Sequence, residues 1–271
     1  MNSAESPNFG QILSMATYTT EIASDTIPSD NPIHQRLLQA YYLAKPHVKG
    51  DLLELGCGEG RGVELLSPLA DSYLALDKIQ EVIDRLKDKY PNVAFEQAVF
   101  PPFKKLEDNS FDSIVSFQVI EHVKDDAGFL AEIYRVLKPG GVAVLTTPNI
   151  KKTLTRNPWH VREYTAQQLT ALASKYFSKV TMKGVGGNGK VMEYYEQNKK
   201  SVEKITRFDV FNLQYRLPAP LLRIPYDILN RMNRNRLNTS NTGLVAEITY
   251  DDYLLVDDGD KALDLFLILE K

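Results

Sequence analysis

Short apolar runs and amphipathic stretches alternate along the chain between residues 51 and 147. A short apolar run bounded by turn residues is typical of a buried strand, whereas apolar residues spaced three and four apart predict a helix. Strands and helices in alternation favour a parallel sheet with helices on both faces. Strands are predicted at Asp51–Leu55, Tyr73–Leu76, Val93–Glu96, Ser113–Phe117 and Val142–Thr146, and helices at Arg61–Ala70, Lys78–Tyr90 and Asp125–Leu137.

The regions on either side of this alternating segment have weaker patterns. Ahead of it, Asn31 is predicted to cap a helix at 32–45, with Pro32 in the first helical position. Beyond it, the pattern predicts a helix at Ala166–Tyr176, a strand at Lys179–Gly184 that Gly184, Gly186, Gly187 and Gly189 then break, and a last buried strand at Leu263–Leu269.

Charge is unevenly distributed along the chain. Residues 190–240 hold ten Lys and Arg against five Asp and Glu, whereas residues 241–271 hold two against eight. The formal net charge of −3 is therefore mainly a cancellation between a basic insertion and an acidic tail. These shifts predict four parts, namely an N-terminal arm and helix at 1–45, a ligand-binding core at 46–189, an insertion at 190–245 and a strand region completing the core at 246–271.

The composition is that of an ordinary globular protein, with 43% apolar and 25% charged residues in 271. A single cysteine excludes an internal disulfide and suits a reducing compartment. Neither a secretory leader nor an apolar run of bilayer length is evident, so a cytoplasmic location is expected. The overall negative charge does not favour a nucleic-acid partner.

A glycine-rich segment follows the first predicted strand and precedes a predicted helix. It reads Glu54-Leu-Gly56-Cys57-Gly58-Glu-Gly60, with the spacing E-x-G-x-G-x-G. The dinucleotide fingerprint G-x-G-x-x-G would need a glycine where Arg61 stands, so a dehydrogenase loop is excluded. Asp77 ends the second strand, where a carboxylate accepts hydrogen bonds from ribose hydroxyls. Together these features predict a site for an adenosine-containing ligand.

Three later segments extend the pattern, and their order and spacing are specific. With the glycine loop they resemble the class I S-adenosylmethionine-dependent methyltransferases, over about residues 35–185 and the final strand. The resemblance implies a Rossmann-like α/β fold with a seven-stranded, mostly parallel sheet, helices on both faces and an antiparallel last strand, supplemented here by the N-terminal arm and a helical lid insertion. The three segments are Asp108–Asp112, Ser116–Val123 and Leu137–Gly141.

The same resemblance implies that the cofactor is S-adenosylmethionine and the product S-adenosylhomocysteine. Gln97 stands where the family usually has an aspartate for the adenine edge, and its amide oxygen can still accept a hydrogen bond. The implied cofactor contacts are Glu54, Gly56, Cys57, Gly58 and Gly60 under the methionine and ribose, Asp77 at the ribose, Lys78, Gln97 and Ala98 at the adenine, and Gln118 at the methionine end.

His122 is the first candidate for a general base, because its unperturbed pKa lies near neutrality. The alternative is a packing residue at the start of a helix. The pair Glu121-His122 also resembles the quinone-biosynthesis O-methyltransferases, in which a further glutamate three residues earlier completes a metal site. That place holds Gln118 here, so no metal is predicted.

A second candidate lies in the loop after the fifth strand. Its sequence resembles a bacterial subgroup associated with O-methylation of glycans, lipid-linked compounds or secondary metabolites. His160, Arg162, Glu163 and Tyr164 are candidates to orient an acceptor, and His160 is predicted to be catalytic. The alternative is an ion-paired loop that caps the following helix at Thr165.

The sequence therefore predicts methyl transfer to a small-molecule hydroxyl. A tRNA methyltransferase and a non-catalytic cofactor-binding protein are the alternatives. The amino-methylating signature, Asn or Asp followed by Pro-Pro-Tyr or Pro-Pro-Phe after the fourth strand, is missing. Three interpretations of the basic insertion stay open: a lid that receives an anionic or glycan-like acceptor, a surface for peripheral membrane contact through residues 210–236, or a solvated helical face. The sequence predicts no oligomeric state.

Overall fold

The structure, a computed structural model, describes residues 27–271 and divides into two compact units. The sheet unit comprises residues 35–153, 160–189 and 249–271. The helical unit comprises the described residues 27–34 together with 154–159 and 190–248. The predicted arm before residue 27 lies outside the described residues, and the four-part division made from composition stays a prediction.

The sheet unit is built on one sheet whose strands lie in the order β3-β2-β1-β4-β5-β8-β6-β7. Strands β1 to β5 pair in parallel, and the last strand, β8, runs antiparallel to β5 and β6 as expected. The expected count of seven was wrong, because β7 adds an antiparallel edge strand to β6. The strands are β1 (Asp51–Leu55), β2 (Ser72–Asp77), β3 (Ala94–Gln97), β4 (Phe111–Phe117), β5 (Leu137–Pro148), β6 (Lys179–Gly187), β7 (Tyr253–Val256) and β8 (Asp264–Glu270).

Helices surround this sheet. Four consecutive residues of β1 are buried, which shows that both faces of the central strands are covered. The α-helices of the described chain are α1 (Asn31–Ala44), α2 (Val63–Leu66), α3 (Gln80–Lys89), α4 (Asp126–Val136), α5 (Ala166–Ala173), α6 (Gly189–Thr206), α7 (Leu213–Arg216), α8 (Ala219–Ser240) and α9 (Thr242–Glu247).

The core of the sheet unit lies between the central strands and α4. Leu53, Leu55, Phe129, Ile133 and Leu267 are fully buried there in one apolar cluster. Each such side chain contributes about 1.5–3 kcal/mol relative to an exposed position. Because β1 and β4 continue into loops on either side of a reversal in strand order, a crevice opens at their carboxyl ends, where ligands bind in this architecture.

The predicted strands and long helices of this unit are confirmed, and two local predictions were wrong. The helix expected at Arg61–Ala70 contains only α2, since a turn precedes Val63 and a 3-10 turn begins at Ser67. Gly184, Gly186 and Gly187 do not break β6 but lie inside it. A Cβ on Gly184 would lie 2.1 Å from the Ala262 Cβ, so glycine permits this close approach.

The helical unit consists of α7 to α9 and nearly all of α6, together with the described residues 27–34 and 154–159. Asn31 has helical backbone angles, so the prediction that it caps α1 was wrong. Its side-chain amide instead donates to the carbonyl oxygens of Val245 and Ile248, at 2.7 and 2.9 Å. No helix among the described residues is long and apolar enough to cross a membrane.

Candidate active site

The glycine loop after β1 combines tight packing with one open position. Gly56 and Gly60 have positive φ angles of 80° and 77°, and an added Cβ would lie 2.4 Å from Val119 and 2.5 Å from Leu86. Gly58 also has a positive φ, of 50°, but a Cβ there would meet nothing within 4 Å. Two glycines therefore permit the turn, and the third leaves room for a ligand to approach the backbone.

Asp77, at the end of β2, is held by the loop it faces. Its Oδ2 accepts the backbone N–H of Gly58 at 2.9 Å, and its Oδ1 accepts that of Ile79 at 3.0 Å. A carboxylate oxygen can accept more than one hydrogen bond, so both oxygens retain capacity for ribose hydroxyls. The carboxylate is therefore already oriented for the role that the resemblance implied.

The predicted adenine contacts lie beside this carboxylate. The Gln97 side-chain amide donates to the Lys78 carbonyl oxygen at 3.0 Å, which leaves the amide oxygen as the available acceptor. The Ala98 N–H donates to the Asp77 carbonyl oxygen at 2.8 Å and fixes the neighbouring backbone. This arrangement suits an adenine amino group, so the substitution of the usual aspartate by glutamine is compatible with the site.

Glu54 and Cys57 form a buried floor beneath the loop. The Glu54 carboxylate accepts the Tyr41 hydroxyl at 2.6 Å and also that of Tyr73, and burial raises the pKa of the carboxyl. Sequence reasoning missed both tyrosines, which come from α1 and β2. Burial also raises the pKa of the Cys57 thiol, which agrees with a small packing residue in the turn.

Gln118 lies at the carboxyl end of β4 with a positive φ of 57°, an unusual conformation for a residue other than glycine. Its backbone N–H donates to the Thr146 carbonyl oxygen at 2.9 Å, and its side-chain amide donates to the Thr146 hydroxyl oxygen at 3.4 Å. Asp264 is buried, which raises its pKa, and it pairs with Arg36 at 3.2 Å. In the sequence, the one sign of this buried ion pair is that an aspartate, Asp264, is the first residue of the apolar strand β8.

Glu121, His122 and His160 lie together beyond the ends of β4 and β5. One ligand atom from each lies within 4.8 Å of the others, and the two imidazole rings meet edge to face at 4.9 Å between centroids. His160 Nδ1 lies 2.6 Å from Glu163 Oε1, and both side chains are largely buried. Both histidines proposed from separate segments therefore share one site, and Glu163 joins them.

Glu121 ties the His160 loop to the sheet. Its backbone carbonyl accepts the N–H groups of Val161 and Arg162 at 2.7 and 3.3 Å, while its carboxylate accepts the Thr147 hydroxyl at 2.9 Å. Burial raises the pKa of this carboxyl to about 7. A divalent ion would find one carboxylate and two imidazoles here, but Gln118 offers an amide instead of the further carboxylate. The expectation that no metal is used stays a prediction.

Arg162 and Tyr164, two further candidates of this loop, serve its structure. Both donate to the buried carboxylate of Asp126, with a distance of 2.7 Å from the Tyr164 hydroxyl. Thr165 caps α5 through a reciprocal pair of hydrogen bonds with Gln168. The ion-paired, capping interpretation therefore holds for these residues, while His160 and Glu163 pair with each other.

Residues 53–145 match a family model described as a methyltransferase domain. A probable S-adenosylmethionine-dependent methyltransferase of Mycolicibacterium smegmatis is 39% identical over 127 residues, which cover 45% of this chain and 49% of that protein. The human mitochondrial ubiquinone biosynthesis O-methyltransferase is 30% identical over 133 residues, covering 46% and 32% of the two chains. The matched region thus spans about half, or less, of each of these relatives.

Two solved structures share the fold. A Thermotoga maritima S-adenosylmethionine-dependent methyltransferase, described as a possible histamine N-methyltransferase, has a TM-score of 0.55 and 15% identity, with 88% of this chain and 89% of that chain covered. An Archaeoglobus fulgidus methyltransferase has a TM-score of 0.51 and 14% identity, covering 88% and 93%. At these identities the likeness shows the fold alone.

Fold and glycine loop together define a Rossmann-like methyltransferase domain. The Mycolicibacterium smegmatis relative, which matches 45% of this chain, is named a probable S-adenosylmethionine-dependent methyltransferase, so the matched region is similar to that class, whose cofactor is S-adenosylmethionine. The resemblance stated from the motifs is thereby confirmed. The roles of the individual site residues stay predictions.

Proposed function

We propose that this chain transfers the methyl group of S-adenosylmethionine to a hydroxyl oxygen of a small molecule and releases S-adenosylhomocysteine. The observation that carries the proposal is the group of His122, His160 and Glu163, which lies in the same unit as the glycine loop, beyond the carboxyl ends of β4 and β5. The relatives add support, because some of them are named O-methyltransferases.

The cofactor supplies the activated methyl group, since its sulfonium is already a good methyl donor. The chain's own residues hold and orient it. Asp77 would bind the ribose hydroxyls, Gln97 the adenine amino group, and the backbone at Gly58 would lie against the ligand. These assignments rest on two observations. Hydrogen bonds orient the side chains of Asp77 and Gln97, and a Cβ on Gly58 would have no neighbour within 4 Å.

A hydroxyl acceptor must lose a proton as the new carbon–oxygen bond forms. We assign this proton to the imidazole of His160, whose Nδ1 lies 2.6 Å from Glu163 Oε1. Glu163 is a positioning residue in this scheme, analogous to the carboxylate that orients a catalytic histidine in other enzymes. His122 packs edge-on against the same ring and would line the acceptor side.

Calorimetry with S-adenosylhomocysteine tests the cofactor site. Wild type is expected to bind, and Asp77→Ala is expected to bind roughly ten- to a hundredfold more weakly, because a charged acceptor is lost. Asp257→Ala, an exposed aspartate of the same unit, is the matched control and should bind like wild type. Equal affinity in wild type and Asp77→Ala would remove Asp77 from the ribose role.

Mass spectrometry of acceptor mixtures incubated with labelled cofactor tests the transfer. The expected product is a methyl ether on a small molecule. Tight cofactor binding without any labelled product would favour the non-catalytic alternative. A salt-sensitive gel shift with bulk tRNA, together with labelled RNA, would favour the nucleic-acid alternative.

A further inference from the structure

In helix α8, polar side chains are buried and apolar side chains are exposed, which reverses the usual arrangement in a globular protein. The buried residues of this helix are Asp227, Asn233 and Leu237, of which two are polar. Four apolar side chains spaced three or four apart along one side are instead 53–64% exposed, and we call them the apolar face. The apolar face consists of Leu221, Ile224, Ile228 and Met232.

Hydrogen bonds fix this orientation from the inside. Asp227 accepts the indole N–H of Trp159 at 3.0 Å. Asn233 donates to Asn198 at 2.8 Å and accepts the Ser201 hydroxyl at 2.6 Å. Since buried polar groups without partners would be costly, these partners show that the polar side belongs inward.

Two arginines of the same helix reinforce the orientation. Arg231 and Arg234 both reach the fully buried carboxylate of Asp30, at 2.8 and 3.0 Å. A rotation of α8 that buried its apolar face would break all of these contacts. The apolar face is therefore held toward the outside of the helical unit.

The chain just ahead of α8 also exposes apolar side chains. Of the seventeen large hydrophobic residues exposed in the described chain, ten lie between residues 208 and 232. Phe208, Phe211 and Tyr215 contribute aromatic rings, and the Arg207 guanidinium lies over the Phe208 ring at 4.9 Å. Exposed apolar clusters of this kind mark surfaces that bind something.

The charge of the surrounding segment favours one kind of binding partner for the apolar face over another. The segment 190–240 carries ten basic against five acidic residues, and Arg207, Arg216 and Arg236 are exposed. Two copies packed through this face would bring like-charged segments together, which disfavours self-association. An anionic lipid surface would attract the arginines while its acyl boundary takes up the apolar and aromatic side chains.

We propose that the apolar face of α8 docks on a membrane surface that contains anionic lipids, as a peripheral contact. This inference is independent of the methyl-transfer proposal, because it concerns only the helical unit. Binding to lipid and binding to cofactor are measured separately, so either can fail without the other.

Co-sedimentation of the full chain with vesicles tests it. The probes are vesicles of phosphatidylcholine alone and of phosphatidylcholine mixed with phosphatidylglycerol. We expect sedimentation with the mixed vesicles, weaker binding to phosphatidylcholine alone, and loss of the difference at high salt. No sedimentation with either vesicle would overturn the proposal.

The triple variant Ile224→Ser, Ile228→Ser, Met232→Ser is expected to lower the partition coefficient at least about tenfold, because three apolar anchors are removed. The matched control changes three exposed apolar residues of the sheet unit, Leu69→Ser, Ile150→Ser and Leu254→Ser, and should bind vesicles like wild type. Equal binding by both triple variants would contradict the proposal. Circular dichroism should show an unchanged fold for both.

Charge reversal gives a second readout. Arg207→Glu with Arg236→Glu should reduce binding to the mixed vesicles and leave binding to phosphatidylcholine alone nearly unchanged.

Light scattering without lipid should show the same mass for wild type and the Ser triple variant. A wild-type dimer that the triple variant converts to a monomer would assign the face to a second copy and reject the membrane.

Discussion

Both units bury apolar side chains, but they differ in where their buried polar groups lie and in how many apolar side chains they expose. In the sheet unit, Ile133 and its neighbours form an apolar core, and the polar groups gather at the carboxyl ends of the strands. In the helical unit, the fully buried carboxylate of Asp30 receives two arginines, while apolar side chains of α8 face outward. Polar residues of the sheet unit thus form the candidate site, whereas those of the helical unit hold its elements together.

The largest effect should come from polar residues of the sheet unit, and it should fall on catalysis. His160→Ala is expected to lower kcat by roughly 10²–10⁴-fold, the usual contribution of a general base. Calorimetry with S-adenosylhomocysteine should show unchanged affinity. A parallel loss of cofactor binding with the fold intact would make His160 part of the cofactor pocket instead.

Glu163→Gln supplies the matched control for that experiment, because it keeps the shape of the side chain. We expect a smaller loss of kcat than in His160→Ala, with a changed pH profile of kcat, since the group that orients the imidazole is altered. A purely structural role for Glu163 would lower thermal stability and leave the pH profile unmoved.

Polar residues of the helical unit should affect folding instead. Asp30→Ala leaves Arg231 and Arg234 without their buried carboxylate and is expected to destabilise the protein by about 3–5 kcal/mol, as for other broken buried ion pairs. Chemical denaturation measures the change. A loss below about 1 kcal/mol would show that solvent replaces the carboxylate at little cost.

The same change, isoleucine to alanine, made once in each unit tests the comparison directly. Ile133 is fully buried, whereas Ile228 is 53% exposed. Ile133→Ala should cost about 2–5 kcal/mol of the free energy of unfolding, and Ile228→Ala less than about 0.5 kcal/mol. A comparable loss at both positions would mean that the apolar face of α8 packs inside the protein.

The smallest expected effect is a pH dependence centred on Glu121. Burial raises the pKa of its carboxyl from about 4.5 to about 7, so folding favours the protonated form. The stability that this group contributes is therefore present at low pH and is lost as the pH rises through 7. Glu121→Gln should flatten the profile and be more stable than wild type at pH 8, by about 1–2 kcal/mol. An unchanged slope between pH 5 and 8 would contradict this assignment.

Much of the sheet unit could be predicted because its signals are local. The short apolar run of β1, the glycines that follow it and Asp77 at the end of β2 lie within one contiguous stretch. Each also has a direct physical reason, such as a positive φ or a strand-end carboxylate. The extra strand β7 was not predicted, because its four residues carry only two buried or half-buried positions.

Other features depend on distant contacts that no local pattern encodes. Residues 122 and 160 are separated by 38 positions, and long-range hydrogen bonds such as those from Val161 and Arg162 to Glu121 bring the histidines together. On α8, periodicity indicates an amphipathic helix but not which side faces inward. Asp30 and Trp159 decide that question, and both are far from α8 in the sequence.

The bond between Asp77 and the Gly58 N–H has a consequence for turnover. The loop and the carboxylate hold each other through a hydrogen bond within the chain itself, so the proposed ribose site is ordered by the chain's own contacts. Binding of a nucleoside would therefore carry little free-energy cost for ordering the loop, and its release would leave the loop in place. Under the proposed function, exchange of S-adenosylhomocysteine for S-adenosylmethionine would then not require the loop to refold.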